Sequence, residues 1–208
     1  ERIKLQKELA ANAAEHQTEK ILDEREAVIK QAMQFLSGNP RAEQIVTKLL
    51  KANLPLTQGN LEKVAVAMEK AGGGVRLKPA EAEYMIRNKL APTLDNVATA
   101  RKQAQTYQKK EHPLTQEAWK QLEPTVTHLL FQAGLRASKE MIGAAQTFIK
   151  KDIPLTVENL RAYSQLMEIK LSEEDVLTKA VDAVSIGQEP KNANLLSSTA
   201  KEDRQING

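Results

Sequence analysis

A short phrase punctuates this chain: Leu54-Pro55-Leu56-Thr57-Gln58-Gly59-Asn60-Leu61, Ala91-Pro92-Thr93-Leu94-Asp95-Asn96-Val97, His112-Pro113-Leu114-Thr115-Gln116-Glu117-Ala118-Trp119 and Ile153-Pro154-Leu155-Thr156-Val157-Glu158-Asn159-Leu160. In each copy a Thr has an apolar residue before it and another four places after it, the arrangement of an N-cap held by a hydrophobic staple. Thr57, Thr93, Thr115 and Thr156 therefore each start a helix, and Ser172, with Asp175 three places on, starts another. Asn60, Asn96 and Asn159 follow their Thr by three residues, and a capping-box variant explains them better than a binding ladder.

Apolar spacing fills in the helices between these corners. Residues 1–37 mix both signs of charge with Ile3, Leu9, Ile21, Val28 and Leu36 and contain neither Pro nor Gly, which predicts one long or once-broken amphipathic helix. Residues 38–188 read as helical hairpins, with Trp119 and Leu122 facing inward and Pro124 kinking or restarting its helix. Gly72-Gly73-Gly74 reads as a flexible linker and a soft boundary. Residues 189–208 are polar except for Leu195, Leu196 and Ile206 and read as a disordered tail or linker. The expected fold is all-α, an irregular array of consecutive helical hairpins with about eight to ten helices. The corners are unevenly spaced, so this is no solenoid of fixed period.

The chain has no cysteine, which removes disulfides, thiolate nucleophiles and Cys-ligated zinc together. His16, His112 and His128 lie far apart with no partner at metal-ligand spacing, and Glu173-Glu174-Asp175 form the acidic first turn that a helix dipole favours. Gly72 to Pro79 lacks the Gly-Lys-Ser/Thr close of a phosphate loop. Neither catalytic residues nor a metal or cofactor site is expected, and the chain is read as a non-enzyme. No apolar run reaches the roughly 20 residues of a membrane span. A cytoplasmic location is expected. The chain opens at Glu1 inside a helical pattern, which reads as a piece of a longer protein.

The formal charge is +3, too small to imply general nucleic-acid binding. Between Arg76 and Lys110, however, eight basic residues (Arg76, Lys78, Arg87, Lys89, Arg101, Lys102, Lys109 and Lys110) face only three acids, Glu81, Glu83 and Asp95. This segment is the candidate surface for an anionic partner. Solvated helix faces account for it more simply. Grooves between hairpins suit a helix or an extended peptide, so the functional expectation is a structural or protein-protein interaction module; the alternative is a nucleic-acid or polyanion binder through residues 76–110.

Met85-Ile86-Arg87-Asn88-Lys89-Leu90-Ala91-Pro92-Thr93-Leu94-Asp95-Asn96, Ile153-Pro154-Leu155-Thr156-Val157-Glu158-Asn159-Leu160 and Ala183-Val184-Ser185-Ile186-Gly187-Gln188-Glu189-Pro190-Lys191-Asn192-Ala193-Asn194-Leu195 resemble an uncharacterised bacterial all-helical family, a domain of unknown function, found in flagellated anaerobic Gram-positive bacteria. The similarity runs from about Glu43 to Leu195 and is densest after Gly134. The resemblance implies a flagellum-related or structural context and carries over no catalytic residues.

Overall fold

The computed structural model describes residues 1–106 and 111–196. Among them the chain is all-α, with nine α-helices: α1 (Arg2–Phe35), α2 (Ala42–Lys51), α3 (Gln58–Ala71), α4 (Pro79–Arg87), α5 (Leu94–Ala104), α6 (Gln116–Gln132), α7 (Lys139–Lys150), α8 (Val157–Glu168) and α9 (Glu173–Ser185), followed by a 3-10 turn at Pro190–Asn192. Two compact units follow one another along the chain, residues 1–65 and 66–208.

In the first unit α1 packs on α2. Its contact is confined to its last turns, where Ala32 and Leu36 are buried, while α2 buries Ile45, Val46 and Leu49 at helical spacing. In the second unit α4 lies along α5 and against α8, and α6, α7 and α8 pack on one another. Phe148 of α7 meets Tyr163 of α8 edge to face, with ring centroids 5.6 Å apart.

The corners are built to one plan. At the end of α2, α4, α6 and α7 a residue adopts a left-handed conformation: Asn53 (φ 56), Lys89 (φ 53), Gly134 (φ 75) and Asp152 (φ 54). The apolar residue after it donates its N–H five residues back, Leu54 to Leu49 O, Leu90 to Met85 O, Leu135 to Leu130 O and Ile153 to Phe148 O, all at 2.9–3.0 Å. This is the Schellman closure, which satisfies carbonyls that a helix end otherwise leaves open. Each acceptor residue is itself fully buried. Three residues after the apolar one comes the N-cap of the next helix: Thr57, Thr93, Ser138 and Thr156 accept from the backbone N–H of Asn60, Asn96, Met141 and Asn159 at 3.1–3.2 Å.

The three Asn residues do more than follow their caps. Asn60 Nδ2 donates to Pro55 O, Asn96 Nδ2 to Ala91 O and Asn159 Nδ2 to Pro154 O, at 2.7–2.9 Å, so each latches its helix start to the incoming chain. Thr115 caps α6 through Ala118 N–H without such a latch, because Ala118 stands where the Asn would be. The α6/α7 corner has Gly134 in the left-handed position and no Pro, which hides it from a search for the Pro-Leu-Thr phrase.

A longer unit also recurs. After α3 the chain reads Val75-Arg76-Leu77-Lys78 and after α8 it reads Ile169-Lys170-Leu171-Ser172, and in both the fourth residue is an N-cap whose backbone N–H is bonded back by an acid three places on, Glu81 (2.8 Å) or Asp175 (2.9 Å). Thus α2–α3–α4 and α7–α8–α9 share order, corner and connector.

Four expectations need correction. Gly72-Gly73-Gly74 is not a flexible linker. Gly72 and Gly73 take positive φ (60 and 115), Val75 and Leu171 exchange backbone hydrogen bonds at 2.7 and 3.0 Å, and a Cβ on Gly74 would run into the Leu171 carbonyl oxygen. Glycine here permits a tight turn and a close backbone approach. The tail does not begin at residue 189: Pro190 and Leu195 are buried, the 3-10 turn packs on α5 and α9, and Leu195 N–H donates to Pro92 O at 2.8 Å. Residues 197–208 lie outside the described residues. Helix α6 runs through Pro124 without a break, so it does not restart there. Trp119 is only half-buried and Leu122 is exposed, because α6 buries Val126 and Leu130 in its second half instead.

Candidate functional site

Of the six basic residues of this segment that are described, two are engaged on main-chain carbonyls and four are exposed. Lys109 and Lys110 lie outside the described residues. Arg101, near the end of α5, donates to Ala71 O and to Gly74 O (3.2 Å), clamping the triglycine turn. Arg87 donates to Lys151 O at 3.0 Å, and Lys151 in turn pairs with Glu83 at 2.7 Å, tying α4 to the end of α7. These guanidinium groups satisfy main-chain carbonyls, which is structural work. Arg76, Lys78, Lys89 and Lys102 are exposed. Lys78 and Lys89 flank opposite ends of the nine-residue α4, about 15 Å apart at the helical rise.

The acids of the segment are also committed. Lys70 pairs with Asp95 at 2.7 Å, and this hydrogen bond holds the Asp95 carboxyl below its ordinary range. Glu81 and Glu83 are both largely buried, the first on the Lys78 N–H and the second on Lys151. Burial pushes the Tyr163 phenol up, with Glu83 and Glu140 adding to the effect. The Ser172 backbone N–H holds Asp175 low, so the acidic first turn of α9 contains a capping box. His112 lies 2.7 Å from Asp152 and its N–H donates to Lys150 O, which pins the start of the third phrase to the α7/α8 corner.

No group of three or more His, Cys, Asp or Glu residues able to hold a metal ion occurs among the described residues. A cavity of about 250 Å³ opens between the α4/α5 corner and α8, lined by Met85, Leu90, Pro92, Ala162, Leu166 and Leu196. A second, of about 410 Å³, lies between the end of α8 and Leu195, with Glu168, Lys170 and Lys179 at its wall. Neither collects a nucleophile with a base.

Among the described residues, α1 is the helix with the longest exposed stretch. Every residue from Glu1 to Val28 is exposed, including Ile3 (73%), Leu5, Leu9, Ile21 (63%), Leu22 and Val28. The sequence shows apolar residues recurring along this helix; only the structure shows that α2 covers no more than its end.

Among the described residues no helix is long and apolar enough to cross a membrane. No curated protein and no solved structure matches the chain. A family model does match, over residues 26–208, which takes in all the corners and leaves out most of the exposed part of α1. Most of the chain being covered, it belongs to DUF6240, a family of unknown function.

Proposed function

We propose that this chain is a non-enzymatic structural or protein-protein interaction module whose working surface is the outer part of α1. The carrying observation is that, among the described residues, six large apolar side chains stand exposed between Ile3 and Val28. A helix in water draws most of its stability from packing an apolar face, and exposed apolar surface of this extent marks a contact site. We extend the proposal to a flagellum-related setting, for which the resemblance of the corner phrases is the support. Polyanion binding is the weaker reading, because Arg87 and Arg101 are spent on carbonyls and Lys78 and Lys89 stand beyond opposite ends of α4.

The test is the size of the native species in cell extract. A chain carrying Ile3→Gln, Ile21→Gln, Leu22→Gln and Val28→Gln should keep its melting temperature and elute at its own mass, while the unaltered chain elutes in a larger species. Identical elution of both at the mass of one chain would refute the reading.

A further inference from the structure

The exposed part of α1 carries a seam of alternating four- and three-residue spacing. On a straight helix Ile3, Ala10, Ala14, Ile21 and Val28 fall within an arc of about 40°, and alternating steps of four and three residues connect them through Lys7, Gln17 and Glu24. This seam is its own complement when reversed. Laid antiparallel on a second copy, Ile3 meets Val28, Lys7 meets Glu24, Ala10 meets Ile21 and Ala14 meets Gln17. Two of these four pairs are apolar, one of them small on large, the one base faces the one acid, and Ala14 meets the uncharged Gln17. Laid parallel and in register, Lys7 would meet Lys7 and Glu24 would meet Glu24.

The charge along the helix has the same sense. Residues 2–14 carry Arg2, Lys4 and Lys7 against Glu8 alone, whereas residues 15–28 carry Glu15, Glu19, Asp23, Glu24 and Glu26 against Lys20 and Arg25. Antiparallel pairing sets the basic half on the acidic half. It brings Lys4 near Arg25 at the wet flank, where a like pair costs a few tenths of a kcal/mol. Charged groups within a seam cost stability and select orientation and register. Resting on the proposed function above, we infer that the partner of α1 is a second copy of this chain, joined as an antiparallel two-helix coiled coil over residues 3–28. Leu5 and Leu9 lie on the opposite side of the helix and Leu22 about 100° round from the seam, so these three remain outside it.

The absence of native cysteine makes the test clean. In the purified full chain, Ala10→Cys and Ile21→Cys variants should each resist oxidative cross-linking alone and should cross-link when mixed. Sedimentation should give twice the chain mass. Lys7→Glu should weaken the dimer about tenfold or more, and Lys7→Glu with Glu24→Lys should restore it to within about threefold. These substitutions lie on exposed positions, so the melting of the remaining helices serves as a folding control. A monomer at high protein concentration, or Ala10→Cys cross-linking to itself, would overturn the inference. A purified monomer found in a larger species in cell extract would overturn self-pairing and leave the interaction reading standing.

Discussion

Val75 and Leu171 are bonded to each other through both their backbone N–H groups, so that the connector before α4 and the connector before α9 meet as a two-residue ladder inside a helical protein. The contact exists because Gly74 has no Cβ. A side chain there would collide with the Leu171 carbonyl, and Arg101 holds the same turn from its other side.

Gly74→Ala should therefore destabilise the protein by about 2 kcal/mol or more, a cost in the class of strained backbone and overpacking. Gly143→Ala provides the control, since nothing lies within 4 Å of a Cβ in that helix. It should be neutral or stabilising by up to about 1 kcal/mol. Urea denaturation of both variants checks this, and equal effects would contradict the account of the turn.

At the α7/α8 corner, Thr156→Ala should cost about 1 kcal/mol, the usual loss for a missing cap, whereas Thr156→Ser should change little. Asn159→Ala should add a loss of similar size by releasing Pro154 O. Because Thr156 and Asn159 bracket one turn, their effects should fall short of additive in a double-mutant cycle. Full additivity would mean that cap and latch act independently.

Ending the chain after Gln188 should remove the burial of Pro190 and Leu195 and the bond to Pro92, a loss of about 2–3 kcal/mol at the usual value for a buried aliphatic residue. Ending it after Leu196 keeps both and should give a higher melting temperature than ending it after Gln188. Equal melting temperatures of these two truncated chains would show that residues 189–196 contribute nothing.

Asp95 titrates below its ordinary value because Lys70 hydrogen-bonds its carboxylate. A carboxyl whose folded pKa is lowered stabilises the fold above its unfolded pKa, and that contribution disappears as pH falls through the folded value. Asp95→Asn should thus lower stability at neutral pH and flatten its decline between about pH 5 and pH 2. Asp95 is partly exposed, so the effect should be small and should shrink with added salt. An unchanged acid limb in denaturation curves would rule out the pair as a contributor.

The residues that announce themselves in sequence are those whose chemistry is local. Thr57, Thr93, Thr115, Thr156 and Ser172 are caps because a hydroxyl reaches a backbone N–H three residues away, and that distance is fixed by the helix itself. The αL residues Asn53, Lys89 and Asp152 give a weaker signal. Lys89 has no conformational preference of its own for that region, and the Schellman bond from the Leu90 N–H to the carbonyl of buried Met85 decides the matter. Gly74 and Leu195 were illegible for a different reason. A Gly run and a polar tail carry no period, and their roles depend on Leu171 and Pro92, which only the tertiary fold brings near. The charge count of residues 76–110 gave no hint that Arg87 and Arg101 bind carbonyls.

Hydrogen exchange along α1 tests the central claim most directly, because an exposed helix segment is protected only as far as a partner stabilises it. In the purified chain, amides between Ile3 and Val28 should gain protection as protein concentration rises, while those of α2 to α9 stay constant. Exchange across residues 3–28 that is the same at every concentration would contradict the claim that a second copy covers this helix.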